Sequence, residues 1–105
     1  EHTLLGPDLM VVREPNQPKE WTADDVIIMI EIAWSSLAYD LGDKARRYAA
    51  AGIADYWVLD VADKALIVHR EPSPTHYGSG TTLHAPMTVT SLLEPLLRVA
   101  VGDLF

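Results

Sequence analysis

VIIMIEIA, Val26 to Ala33, is rich in β-branched side chains and apolar at every position but one. A run of this kind reads as a central strand covered on both faces. The exception is Glu31. Working back towards the N-terminus, Glu14 to Asp25 holds Pro15, Asn16 and Pro18 among charged residues and reads as a surface loop. Before it, Asp8 to Arg13 (DLMVVR), introduced by Gly6-Pro7, reads as a second strand.

Beyond Ala33 the period changes. In Ser35 to Gly52, Leu41, Ala45, Tyr48 and Ala49 recur at helical spacing. Asp40 suits the N-cap, Asp43 falls in the first turn, and Gly52 supplies a left-handed stop. Asp55 to Asp60 (DYWVLD) and Ala65 to Arg70 (ALIVHR) follow as strands. Their short polar link, Val61 to Lys64, suits an antiparallel hairpin. Glu71 to Gly80 is rich in Pro, Ser and Gly and reads as loop. A short strand follows around Thr82 to His84, and then an apolar tail from Leu92 to Phe105. The tail either closes the core or forms a dimer seam. The order β-β-α-β-β predicts an α/β sandwich with a mixed sheet flanked by helix.

The chain has 105 residues, 49 % of them apolar and 22 % charged, which is one globular domain spanning 1–105. No apolar run reaches the roughly 18 to 20 residues of a membrane span. The absence of cysteine excludes disulfides, thiolate metal sites and cysteine nucleophiles. With no visible signal peptide the expected compartment is the cytoplasm. A net charge of −7 argues against a broad electrostatic footprint for nucleic acid. It leaves room for a nucleic-acid enzyme whose carboxylates hold a divalent metal, because the ion reverses the local field.

Glu31 is where chemistry is expected. A lone carboxylate on a buried strand is costly unless compensated. If the Asp8 strand is its neighbour, Asp8 and Glu31 converge at one end of the sheet. Such a pair, with backbone carbonyl oxygens, suits Mg²⁺ or Mn²⁺. Asp40, Lys44 and Tyr48 follow at i, i+4 and i+8 and form one polar stripe on the next helix. Lys44 there can orient a water and offset charge at a phosphoryl centre. Each residue also has a plainer reading. Asp8 would start a strand, Glu31 would pair with Lys44, Arg46 or Arg47, Asp40 would cap the helix or pair with Lys44, and Tyr48 would use its hydroxyl locally. The histidines show no ligand spacing, and Ser35 and Ser36 lack a nucleophile elbow.

Gly6-Pro7-Asp8, the strand ending Glu31-Ile32-Ala33, Asp40-x-x-x-Lys44-x-x-x-Tyr48 and Ala51-Gly52-Ile53-x-Asp55-Tyr56-Trp57-Val58-Leu59-Asp60 together resemble the bacterial Uma-type putative restriction endonuclease family. That family is a branch of the PD-(D/E)XK nuclease superfamily. The resemblance runs from Pro7 to about Phe105. It implies a restriction-endonuclease-like core, with Asp8 and Glu31 as metal ligands and the Ile32 carbonyl as a third. The superfamily pattern places lysine at position 33, where this chain has Ala33; in the family the lysine has moved to the following helix, at the position of Lys44. The family also implies further N-terminal structure before Glu1.

Two functions are therefore expected to compete. One is a Mg²⁺- or Mn²⁺-dependent endonuclease acting on DNA, with Asp8, Glu31 and Lys44 catalytic and Asp40 and Tyr48 in support. The other is a catalytically degenerate nuclease fold, a homo-oligomeric structural or DNA-associated module. The expected assembly is a homodimer.

Overall fold

The computed structural model describes residues 8–13, 22–34 and 37–105. Five strands form one mixed sheet in the order β1-β2-β3-β4-β5: β1 (Leu9–Val12), β2 (Val26–Ala33), β3 (Asp55–Asp60), β4 (Ala65–Pro72) and β5 (Tyr77–Leu83). Only β2 and β3 run parallel, with Glu31 beside Val58, and α1 (Leu37–Ala50) makes the crossover between them. Such a connection needs the dozen or more residues that a helix supplies. A two-stranded ribbon, β6 (Thr88–Thr90) and β7 (Arg98–Ala100), and a short 3₁₀ turn at Val101–Leu104 complete the chain.

Strand alternation divides the core in two. Met29, Tyr56 and Val58 face α1 and pack with Ala45, Tyr48 and Ile53. Ile28, Trp57, Leu66 and Val68 face the other way, against Val89 of β6 and Val101. This two-sided burial is why VIIMIEIA is apolar at nearly every position. Two hydrogen bonds, Ile53 N–H to Tyr48 O at 3.1 Å and Gly52 N–H to Ala49 O at 2.9 Å, end α1 in a Schellman motif. Gly52 has φ +84°, as the sequence requires of its stop residue.

Three expectations need correction. Helix α1 begins at Leu37, so Asp40 lies inside it and is not the N-cap; Leu37 and Ala38 are good helix formers that carry the helix back past it. Residues 14–21 of the predicted loop Glu14 to Asp25 lie outside the described residues, but Ala23–Asp25 form a 3₁₀ turn, with the Asp25 carboxylate accepting the Thr22 N–H. The predicted loop Glu71 to Gly80 is mostly strand: β4 continues to Pro72 and β5 starts at Tyr77, so the short strand around Thr82 is the end of a longer one. Glycine looked like loop because its packing role is invisible in one dimension. A Cβ at Gly78 would stand 3.1 Å from the Glu71 carboxylate, and one at Gly80 would stand 3.4 Å from the His69 ring. Of the two roles expected of the apolar tail, the structure shows the first: part of it folds as β7, and Leu97, Val99 and Leu104 pack against the core.

Candidate active site

Glu31, Met29 and Ala33 share the face of β2 that α1 covers, which leaves Glu31 only 7 % exposed. Lys44 and Tyr48 stand one turn apart on α1, so both reach it. Lys44 Nζ donates to Glu31 Oε2 at 2.8 Å, and Tyr48 Oη donates to Oε1 at 3.2 Å. Burial pushes the Tyr48 phenol well above its ordinary range, and the charge and hydrogen bond of Glu31 and the charge of Asp8 add to this, with Arg47 opposing. Tyr48 is thereby fixed as a proton donor to the carboxylate.

Asp8 immediately precedes β1. Extending the Leu9–Ile30 register by one residue sets Asp8 across from Glu31. Its exposed carboxylate accepts the Ile32 N–H through Oδ2 at 2.7 Å. In an extended strand a residue's N–H and C=O leave by the same edge, so the Ile32 carbonyl also faces the Asp8 side. The Ala33 carbonyl points the opposite way and accepts the Val61 N–H at 3.0 Å. These groups surround an open cleft of about 160 Å³. Asp8, Glu31 and Lys44 form its polar wall, and Tyr56 and Val58 form its floor.

Of the residues singled out in the sequence, Asp8, Glu31, Ile32, Lys44 and Tyr48 therefore come together at one end of the sheet. The side chain of Asp40 lies outside the described residues. Among those described, no group of three or more His, Asp or Glu side chains forms a metal cluster. Two carboxylates and one backbone carbonyl are nonetheless hard oxygen donors of the kind Mg²⁺ and Mn²⁺ take. Each carboxylate oxygen has about two acceptor sites, so the bonds from Lys44 and Tyr48 leave lone pairs on Glu31. The donor set fits a divalent cation.

Tyr56, which the sequence did not single out for the site, lies in the cleft floor. It stacks against His69 at 5.4 Å and Tyr77 at 5.8 Å, and meets Tyr48 edge-on at 5.0 Å, so an aromatic layer backs the acidic pair. No signal in the sequence marked it, because its register beside Met29, two residues before Glu31, is a non-local fact. Also unforeseen was a buried node on the opposite face. Asp55, 0 % exposed, accepts from Trp57 Nε1 at 2.7 Å, Arg70 Nε at 2.9 Å and the Leu92 N–H at 2.9 Å.

Among the described residues no helix is long and apolar enough to cross a membrane. The model of Uma2, a family described as "Putative restriction endonuclease", matches the chain over residues 1–101. No curated protein matches it.

Proposed function

The chain belongs to the Uma2 family of putative restriction endonucleases, and we propose that it hydrolyses DNA phosphodiester bonds with Mg²⁺ or Mn²⁺ in the cleft beside Glu31. One observation carries this reading: Lys44 of α1 contacts Glu31 at 2.8 Å, on the strand face where position 33 is alanine. A lysine supplied by the helix thus stands beside the acidic pair.

Asp8, Glu31 and the Ile32 carbonyl would hold the cation, which supplies Lewis-acid polarisation of a phosphoryl oxygen and neutralises developing charge. The chain's own groups do the rest. The Ile32 N–H fixes the Asp8 carboxylate, and Tyr48 fixes Glu31. Lys44, held by Glu31, presents its ammonium group to the attacking water and to the negative charge that grows on the phosphoryl oxygens. The Tyr56 and Val58 floor limits the approach of bulk water from below.

The test is cleavage of plasmid DNA with Mg²⁺ or Mn²⁺ present. The wild type is expected to cut, Asp8→Ala and Glu31→Ala to abolish cutting, and Lys44→Ala to lower it by about 10²-fold or more. Full activity in Glu31→Ala would overturn the assignment. The competing reading, a non-catalytic module that is structural or DNA-associated, draws on the same contacts: Glu31 and Asp8 are already satisfied within the chain. A wild type that neither cuts nor binds metal would favour it.

A further inference from the structure

Strand β5 is one edge of the five-stranded sheet, paired along its length with β4. Among the described residues no strand pairs with its outer side. Edge strands present a row of open N–H and C=O groups, and proteins guard them with charges, proline, bulges or shortness. The other edge is guarded in this way: β1 has four residues, a register irregularity between Val11 and Val12, and Arg13 directly after it. Strand β5 has seven residues, YGSGTTL, with no charge and no proline, and most of it is exposed.

We propose that β5 pairs antiparallel with β5 of a second copy, about a two-fold axis through Gly80. The strand is self-complementary in that register. Ser79 meets Thr81 of the second copy, Gly78 meets Thr82, and the two Gly80 residues face each other at the axis, while Tyr77 and Leu83 stay packed on opposite faces of their own sheet. Hydroxyl–hydroxyl pairs such as Ser79 with Thr81 stabilise adjacent strands. Slipping by one residue sets Ser79 against Thr82 or Gly80 and loses the Ser79–Thr81 pair. Self-complementarity is what a two-fold interface requires, because one patch must recognise itself. It also favours a second copy over an unrelated extended peptide. The chain carries a net charge of −7, so an uncharged strand is where two copies approach with least repulsion.

Sedimentation velocity at tens of micromolar protein tests this, on the wild type and on Thr81→Lys. Thr81 is exposed, and in the proposed pairing the two introduced lysines flank the axis. The wild type is expected at twice the mass of one chain and the variant at one chain mass, with an unchanged circular dichroism spectrum. A monomeric wild type would overturn the proposal. So would a dimer that Thr81→Lys leaves intact, which would move the interface elsewhere, for instance to the apolar groove at Trp34, Leu104 and Phe105. Should Thr81→Lys not fold, the Ser79→Cys/Thr81→Cys double variant decides. The chain has no other cysteine, so mild oxidation must give a covalent dimer if Ser79 and Thr81 face each other across the seam, and its absence refutes the pairing.

Discussion

Replacing Lys44 with alanine tests the electrostatics of the cleft without any assumption about catalysis. Glu31 is 7 % exposed and loses its only ion-pair partner among the described residues, keeping the Tyr48 hydroxyl at 3.2 Å. At an effective dielectric of about 20 the direct attraction at this separation is of order 6 kcal/mol, most of which offsets desolvation. Breaking a buried pair costs about 3–5 kcal/mol. The Lys44 side chain is 28 % exposed, so water screens part of that cost. About 2 kcal/mol is therefore the expected loss, near the value for a hydrogen bond to a charged group. In a domain of this size that lowers Tm by about 10 °C. The assay is urea unfolding of the wild type, Lys44→Ala, Glu31→Gln and the double variant. The double-mutant cycle should return a coupling of about 1.5 kcal/mol or more. A coupling near zero, or a Lys44→Ala loss below about 0.5 kcal/mol, would mean that the contact is a screened surface pair, and the reasoning about the cleft would fail.

Three further outcomes follow from the geometry. Folding raises the pKa of Tyr48 and of Tyr77, whose hydroxyl donates to the Ile53 carbonyl at 2.7 Å; burial is the first cause for both. Their contribution to stability is thus complete below the unfolded value near 10 and lost as pH climbs above it; tyrosinate absorbance should rise together with loss of circular dichroism, and early ionisation of all four tyrosines in the folded protein would contradict this. His69 is held neutral by burial, its pKa lowered, and its Nε2 has no hydrogen-bond partner among the described residues. Its contribution is present above about 6.5 and lost as pH falls, so His69→Phe should stabilise by about 1 kcal/mol and flatten the acid limb of the melting profile; a destabilised variant would show that Nε2 has a partner. Asp55→Ala strands the Arg70 guanidinium and removes the acceptor of Trp57 and Leu92, and should cost about 3 kcal/mol or more by urea unfolding; a loss under about 1 kcal/mol would argue that the node is dispensable.

Legibility in the sequence followed the physics of each segment. β2, β3 and β4 were readable because strands buried on both faces must be apolar throughout, and Glu31 stood out against that background. Lys44 and Tyr48 were readable because helical spacing alone puts them one turn apart. Asp8 could be guessed as their neighbour only if β1 paired with β2, a non-local fact that the register now supplies. The start of α1 was misjudged because aspartate suits both a cap and a first turn. Strand β5 was hidden because Gly78 and Gly80 are there for close approach to Glu71 and His69, a tertiary reason with no local signature. The Asp55 node was equally hidden, since it joins residues from β3, β4 and the segment after β6.

The proposed function requires that Asp8 and Glu31 hold a divalent cation. Calorimetric titration of Mn²⁺ into the wild type and into Glu31→Ala addresses it most directly, with melting curves alongside. The wild type should bind one ion per chain, gain about 2.7 kcal/mol of stability at a hundredfold excess over Kd, and lose both properties in Glu31→Ala. Equal binding by the two proteins, or none by the wild type, would contradict the account.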